Sequence, residues 1–255
     1  METPRMSESV VYGRHPVLEL LKSEGRVVTR IVIAEGTKGP QLDEARRLAG
    51  RAHVEVARGG KDELDRLSSG ANHQGIVALC AQRSFSTMDE IVALAAARKE
   101  APLLVLADGI EDPGNLGAIL RSAEAAGCHG VVISRHRAAG LTPAAVKASA
   151  GASEHILIAE VANVAAVAER LKRDHGIWIA GAAETGDLRY DRGDYTMPTA
   201  FAIGGEGKGL RPLLRQRCDY VVSIPMAGKV SSLNASAATA VLLFEARRQR
   251  LGVAK

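Results

Sequence analysis

Three glycine-bearing turns of the sequence carry side chains that could move a proton or hold an anion. Each turn follows an apolar run that predicts a β-strand. Because open α/β sheets bind their ligands at the carboxyl ends of the strands, three such turns in one chain favour a shared site there. A carboxylate at such a site could accept a proton, and a guanidinium could stabilise a negative charge. The candidates are Asn115 in the turn at 108–117, Arg121 in the helix that follows it, Glu206 in the turn at 203–210, and Ser232 and Asn234 at the end of the segment 224–234.

Each of these side chains also has an ordinary structural explanation. Asn115 and Ser232 have residue types that cap helix N-termini, Arg121 could be a solvated charge, and Asn234 could be a surface amide of a helix. These alternatives stay open for each residue taken alone. The coincidence of three such turns is what favours a site.

The turn at 203–210 matches neither of two common nucleotide-binding fingerprints. Gly205 and Gly207 are followed three positions later by Leu210, where the dinucleotide fingerprint needs Gly or Ala. A P-loop also fails, because Gly209 stands where Ser or Thr would bind magnesium. A nucleotide-dependent dehydrogenase and a P-loop NTPase are therefore excluded.

Composition narrows the class of protein further. The chain has 255 residues, of which 46% are hydrophobic and 24% carry charges of both signs, which excludes a disordered or fibrous protein. No apolar run approaches the roughly 20 residues of a membrane helix, and residues 1–9 lack an apolar signal region, so we expect a cytoplasmic protein without membrane contact. Three cysteines without CxxC spacing predict no metal site. The net charge of +4 is consistent with a polyanionic partner but does not establish one.

The first third of the chain predicts a small α/β unit. A helix is expected after Pro16, and the polar stretch 81–86 ends the unit. A capped helix then starts at Thr87 and runs to about residue 99. Strands are expected at 27–33, 53–57 and 75–79, and helices at 41–49 and 61–68.

The rest of the chain predicts a mainly parallel sheet covered by helices on both faces. Continuous apolar runs are typical of strands that are buried on both sides. Helices are expected at 118–126 and 234–249. The runs lie at 103–106, 131–133, 156–158, 177–179, 200–203 and 221–224.

Read in order, NLGAILR, GGEGKGL and SIPM followed by KVSSLNAS resemble the three motifs of the SpoU branch of the SPOUT methyltransferases. The resemblance covers nearly the whole chain, including the segments YGRHP at 12–16 and NHQG at 72–75. It is strongest to the members of the branch that methylate a guanosine 2′-hydroxyl of 23S rRNA. Ala235 is a small departure, because the family often has valine there.

The resemblance implies the fold class and the domains. Residues 1–80 would form an RNA-binding domain similar to ribosomal protein L30e, residues 81–100 a linker and connecting helix, and residues 101–255 a SpoU-type methyltransferase domain. That last domain would be a SPOUT α/β knot, a mainly parallel sheet with a deep trefoil knot. Family members are homodimers whose knotted domains pack together, with each active site completed near the interface.

The resemblance also implies a cofactor, S-adenosylmethionine, and the residues around it. Arg121 matches the family's catalytic arginine, and because a guanidinium stays charged in proteins, charge stabilisation and phosphate positioning are safer roles for it than general base. Glu206 could accept the proton or orient Arg121, and no metal is required. Asn115, Ser232 and Asn234 match motif positions that hold geometry. The expected cofactor-binding residues are Gly204, Gly205, Ile224, Met226, Leu233 and Asn234.

The RNA partner would be bound by residues of the family-like segments. Arg14, His15, His73 and Gln74 lie in YGRHP and NHQG, and Lys147 lies beyond the first motif. The alternatives are that His73 and Gln74 only fasten a turn and that Lys147 is solvated.

The substrate is left open among several RNAs. The expected target is a guanosine of 23S rRNA. Alternatives are a tRNA guanosine, the 23S rRNA adenosine whose methylation confers thiostrepton resistance, or no chemistry at all in an L30e-like RNA-binding module. The tRNA enzymes usually lack the N-terminal domain.

Overall fold

The computed structural model describes residues 8–23, 25–207 and 209–253. The chain divides into two compact units: Met1–Ser84 with Val146–His155, and Phe85–Ala145 with Ile156–Lys255. We call them unit 1 and unit 2. The connecting helix that follows residue 87 belongs to unit 2, and ten residues of the expected methyltransferase domain belong to unit 1. The division by role into RNA-binding and methyltransferase domains stays a prediction.

Unit 1 is a four-stranded sheet with helices. Its strand order is β1-β4-β2-β3, in which β2 and β3 are parallel and the other pairs are antiparallel. The first strand was not predicted. The elements are β1 Glu8–Tyr12, α1 Arg14–Lys22, β2 Val28–Ala34, α2 Pro40–Arg51, β3 Glu55–Gly59, α3 Lys61–Leu67 and β4 Ile76–Ala81.

The segment Val146–His155 joins unit 1 through a buried ion pair. Arg26 Nη1 donates to Glu154 Oε1 at 3.1 Å, and the two side chains are 4% and 1% exposed. Removing one partner of a buried pair leaves an uncompensated charge, which typically costs about 3–5 kcal/mol. Gly151 adds a steric constraint, because a Cβ there would lie 2.4 Å from Cβ of Glu19.

Unit 2 is built on a parallel sheet. The seven strands of the described chain have the order β7-β6-β5-β10-β8-β11-β9, so their carboxyl ends share one edge. The strands are β5 Leu103–Asp108, β6 Gly130–Ser134, β7 Leu157–Val161, β8 Trp178–Ala182, β9 Leu188–Arg189, β10 Thr199–Gly204 and β11 Tyr220–Ser223. The helices are α4 Met88–Arg98, α5 Pro113–Ala125, α6 Pro143–Ala148, α7 Val164–His175, α8 Pro212–Arg217 and α9 Ala235–Val253, of which α6 crosses the boundary between the units.

Helices cover both faces of this sheet, as predicted. Val105 and Ile203 face a core formed with α5 and α9, whereas Leu104 and Ala202 face a second core formed with α4, α7 and α8. The alternation follows from the two-residue repeat of a strand. Helix α4 begins with the expected capping box, in which Thr87 and Glu90 exchange hydrogen bonds.

The sheet opens between β10 and β8 at its carboxyl edge. Their pairing ends at Ala202 and Gly181, whereas β10 stays paired with β5 as far as Gly204. On the other side, β8 stays paired with β11 as far as Ala182. A crevice therefore forms where open α/β sheets bind ligands.

The cysteines are free thiols of low reactivity. Cys80 and Cys128 are buried, and Cys218 is half-buried. Burial raises the pKa of Cys80 and Cys218 to about 11 and that of Cys128 to about 12, so all three stay protonated near neutral pH. No described group of acidic, histidine or cysteine side chains could hold a metal ion. Within the described ranges, no helix is long and apolar enough to cross a membrane.

His129 makes the stability of unit 2 depend on pH. Its Nδ1 accepts from the Leu103 amide at 3.0 Å, so Nε2 carries the proton and donates to Glu100 Oε2 at 3.0 Å. Burial lowers the pKa of His129 from its ordinary value of 6.5, against the raising effect of Glu100. The unfolded chain therefore binds a proton more readily than the folded chain does, and stability that is complete above pH 6.5 is lost as the pH falls below it.

We expect His129→Gln, which keeps an acceptor for the Leu103 amide, to lose less stability on acidification than the wild type. The thermal midpoint, Tm, would be measured for both proteins at about pH 7.5 and pH 5.5. The fall in Tm between these conditions should be smaller in the variant. An equal fall would contradict a contribution from His129.

Candidate active site

A cavity of about 340 Å³ lies at the crevice of unit 2. The ends of β8, β10 and β11 line it together with the segment that leads into α9. All six residues predicted to bind a cofactor are in its wall, as are Glu206 and Ser232. The six are Gly204, Gly205, Ile224, Met226, Leu233 and Asn234.

Three of the predicted catalytic residues form one hydrogen-bonded cluster, the Asn115–Glu206–Asn234 cluster. Asn115 Nδ2 donates to Glu206 Oε1 at 2.7 Å, and Asn234 Nδ2 donates to the same oxygen at 2.6 Å. Asn234 Nδ2 also lies 2.8 Å from Asn115 Oδ1. Both amides therefore donate to Oε1. The second oxygen, Oε2, accepts no hydrogen bond from any described residue.

Neither asparagine has the ordinary structural role that the sequence allowed for it. The N-cap of α5 is Asp112, whose side chain accepts from the Asn115 amide at 2.7 Å, so the side chain of Asn115 is left for the cluster. At α9, Asn234 rather than Ser232 takes the capping position, because its Oδ1 accepts from the amides of Ser236 and Ala237 at 2.8 and 3.4 Å. Asn234 therefore fixes the helix start with one end of its amide and Glu206 with the other.

The glycines of the second turn allow close backbone contacts. A Cβ on Gly204 would lie 2.0 Å from the Gly209 carbonyl oxygen, and one on Gly205 would lie 2.1 Å from the Gly109 carbonyl oxygen. Gly204 is thus required by packing within its own turn, and Gly205 by packing against the turn after β5. This packing brings the turn after β5 against the turn after β10.

An ion pair joins the same two turns. Arg211 Nη1 donates to Asp108 Oδ1 at 2.8 Å, and the Asp108 side chain is 6% exposed. Burial raises the pKa of Asp108, whereas the Arg211 charge opposes that rise. The pair holds the base of the turn that leads to Asn115.

Arg121 and Ser232 do not join the cluster. Arg121 is exposed on α5, six residues after Asn115 and therefore about 120° around the helix. Neither its guanidinium nor the Ser232 hydroxyl makes a hydrogen bond with a described residue. The structure of one chain thus brings together Asn115, Glu206 and Asn234, and leaves Arg121 free to bind an anion.

Two further side chains belong to this site and were missed in the sequence. Ser236 Oγ donates to Asn234 Oδ1 at 2.6 Å. Ser236 lies in the NAS segment of the third motif, so the sequence could have identified it. Glu184, after β8, lines the cavity and had no signal, because its segment matches none of the three turns.

A second cavity, of about 800 Å³, lies within unit 1. Four of the five residues predicted to bind RNA, Arg14, His15, His73 and Gln74, line it. Lys147 does not; its ammonium donates to the Asn72 carbonyl and lies 5.4 Å from the centre of the Tyr12 ring. RNA contact by these residues stays a prediction.

Family profiles match both parts of the chain. Residues 102–244 match the SpoU rRNA methylase family, and residues 10–86 match the RNA 2′-O ribose methyltransferase substrate-binding family. The first match covers more than half of the chain and includes the Asn115–Glu206–Asn234 cluster. The second covers the cavity of unit 1.

Known proteins resemble the chain over nearly its whole length. A putative TrmH family tRNA/rRNA methyltransferase, YacO, from Bacillus subtilis is 40% identical over 94% of this chain and 95% of its own. The 23S rRNA (guanosine-2′-O-)-methyltransferase RlmB from Pseudomonas syringae is 41% identical over the same shares. The crystal structure of the SpoU methyltransferase AviRb from Streptomyces viridochromogenes, in complex with the cofactor AdoMet, is 31% identical, with a TM-score of 0.81 over 97% of this chain and 92% of that one.

These similarities confirm the fold class predicted from the motifs, a SPOUT α/β knot with a smaller N-terminal α/β domain. They extend across both units and include the residues of the cavity in unit 2. The chain belongs to the SpoU family of RNA methyltransferases.

Proposed function

We propose that the protein transfers a methyl group from S-adenosylmethionine to a ribose 2′-hydroxyl of RNA, and that its target is a guanosine of 23S rRNA. The observation that carries this proposal is the position of Glu206. Its carboxylate lies in the wall of the cavity that all six expected cofactor-binding residues line, and two amides hold it there.

The cavity suits S-adenosylmethionine in size and charge. Its volume of about 340 Å³ lies within the usual range of small-molecule sites. Ile224, Met226 and Leu233 offer apolar surface for an adenine ring. The described acidic and basic residues in its wall are Glu184 and Glu206, both carboxylates, which favours a cofactor with a net positive charge.

Glu206 is the proposed proton acceptor. Bound S-adenosylmethionine supplies a methyl group that its sulfonium already activates for in-line displacement. Glu206 Oε2 takes the proton from the 2′-hydroxyl as the new oxygen–carbon bond forms, while the two amides on Oε1 keep the carboxylate in position. The residues of the cavity wall would hold the cofactor, which would supply its methyl group and depart as a neutral thioether.

Arg121 is proposed to bind an RNA phosphate beside the reacting ribose. It is exposed and makes no ion pair with a described residue, so its charge is available to the RNA.

We also propose that the protein is a homodimer through unit 2. Phe244 and Leu251, 51% and 58% exposed on α9, supply apolar surface for that contact.

Relatives support ribosomal RNA as the substrate class. The Pseudomonas relative is named for 23S rRNA and guanosine, whereas the name of the Bacillus relative includes tRNA. A tRNA guanosine is therefore the second candidate. An RNA-binding module without chemistry is disfavoured, because the Asn115–Glu206–Asn234 cluster is complete.

We expect the wild-type protein to add one 2′-O-methyl mark to a guanosine of 23S rRNA, and Arg121→Ala to add none. The marks would be mapped across 23S rRNA and tRNA in cells that have the protein, lack it or carry the variant. Arg121→Ala should keep its affinity for S-adenosylmethionine, because Arg121 lies outside the cavity wall. Calorimetry would measure that affinity.

Other outcomes of the mapping have distinct meanings. A mark that depends on the protein in tRNA, or on a 23S adenosine, would contradict the proposed target but keep the chemistry. No dependent mark would contradict the chemistry. Full methylation by Arg121→Ala would remove Arg121 from the mechanism.

We expect Ala238→Leu to weaken binding of S-adenosylmethionine by about tenfold or more, because the larger side chain occupies cavity space. Ala97→Leu is the matched control, since Ala97 is exposed on α4, another helix of unit 2, and lies outside the cavity wall. Calorimetry would compare both variants with the wild type. Equal affinities in the two variants would show that the cofactor binds elsewhere.

A further inference from the structure

The cavity of unit 1 is formed where its three helices begin. Arg14 and His15 open α1, Gln41 lies in the first turn of α2, and Lys61 opens α3. The turn at residues 72–75 closes the remaining side. Gln41 and Lys61 belong to none of the sequence motifs, so the fold alone identifies them as members of this wall.

The turn at 72–75 is held in a strained form. Gln74 has a φ of 54°, in the left-handed region that a residue with a side chain rarely adopts. The Gln74 backbone amide donates to Asn72 Oδ1 at 3.2 Å. Arg14 makes two more hydrogen bonds to Gln74: its backbone amide donates to Gln74 Oε1 at 3.0 Å, and its Nε donates to the Gln74 carbonyl at 3.2 Å. Strain that is held from several sides is typical of functional sites.

His73 shapes this turn and has no nitrogen left for a ligand. Its Nδ1 accepts from the Gly75 amide at 3.0 Å, so Nε2 carries the proton and donates to Asp65 Oδ1 at 3.2 Å. Both ring nitrogens are thus used within unit 1. His73 is a positioning residue, and ligand contact falls to other side chains of the wall.

The groups that remain free have mixed charge. Lys61 is exposed and forms no ion pair with a described residue, and the two Nη groups of Arg14 have no hydrogen bond to one either. The Glu35 carboxylate, in the same wall, forms no ion pair within the described part of unit 1. Gln41 Nε2 lies 3.0 Å from His15 Nε2, and its carbonyl oxygen accepts no hydrogen bond from a described residue. A carboxylate beside two cations disfavours a bare phosphate ion.

A nucleotide fits this combination. Its phosphate requires a cation, and the edge of its base has N–H groups that can donate hydrogen bonds to a carboxylate or amide oxygen. Arg14 and His15 offer planar groups for stacking, which matters in a chain with only 3% aromatic residues. Proteins that read RNA sequence bind unpaired loop bases in this way, because pairing occupies the Watson–Crick edges and side chains cannot enter the narrow major groove of an A-form duplex.

We propose that the cavity of unit 1 binds one unpaired nucleotide of the RNA, with Lys61 on its phosphate and with Gln41 and Glu35 on the edge of its base. The inference rests on the proposed function in taking RNA as the ligand. It goes further by assigning unit 1 the recognition of an RNA loop, at a site separate from the cavity that would hold the reacting ribose.

The test measures RNA binding by the full chain without cofactor. Fluorescence anisotropy would give the affinity for a labelled hairpin with an unpaired eight-nucleotide loop and for a blunt duplex of the same stem. The variants are Lys61→Ala and Gln41→Ala. Arg51→Ala is the matched control, because it also removes one exposed positive charge but lies ten residues, or about 15 Å, further along α2 than Gln41.

We expect Lys61→Ala and Gln41→Ala to weaken hairpin binding by about fivefold to tenfold and to leave duplex binding within about twofold of the wild type. Lys61→Ala should also lower the slope of log affinity against log salt by about 1, whereas Gln41→Ala should not change it. Arg51→Ala should bind the hairpin within about twofold of the wild type.

Two results would overturn the inference. One is equal hairpin affinity in Lys61→Ala, Gln41→Ala and Arg51→Ala; the other is an equal loss for hairpin and duplex, which would indicate general attraction to RNA. A failure of methyl transfer leaves this measurement intact, because no cofactor is present. A wild-type protein that transfers the methyl group but binds the hairpin and the duplex equally well would refute only the nucleotide site.

Discussion

One oxygen atom of Glu206 connects three segments that lie far apart in the chain. Asn115 opens α5, Glu206 follows β10 and Asn234 opens α9, and both amides donate to Oε1. Hydrogen bonds to a charged group contribute about 1.5–3 kcal/mol each, and less where water competes, so they cannot hold the fold together. They select the orientation of a carboxylate on a scaffold that the sheet already provides. All the chemistry proposed for this chain depends on that orientation.

The burial of apolar strand residues stabilises this scaffold, and the sequence indicated which strands are buried. Strands β5, β6 and β10 are continuous apolar runs because helices cover them on both faces, and such runs are visible without a structure. Strand β1 was missed. It is short and lies at the edge of its sheet, so its residues do not form a fully apolar run. The placement of Val146–His155 in unit 1 was also hidden, because its contacts join residues far apart in the chain, such as Arg26 and Glu154, 128 positions apart.

Motif similarity identified most residues of the candidate site. Local preferences of residue types then explain which side chains cap a helix and which remain available to the site. In the stretch 112–115, Asp112 and Asn115 both have the residue type of an N-cap, but Pro113 is well suited to the first helical position and makes Asp112 the cap. Glu184, Gln41 and Lys61 had no such signal. They lie in polar segments, and only the fold shows which polar side chains line a cavity.

The two cavities share one design, although they lie in different units. In unit 2, Asn234 caps α9 with its oxygen and holds Glu206 with its nitrogen; in unit 1, His73 holds Gly75 with one nitrogen and Asp65 with the other. Each side chain is fixed at both ends, so neither loses much further rotamer freedom when a ligand binds. Glu206 and Lys61, beside them, keep a charged atom free of described partners. Rigid side chains thus define each wall, and the free charges are available for the proposed proton transfer in unit 2 and the proposed phosphate contact in unit 1.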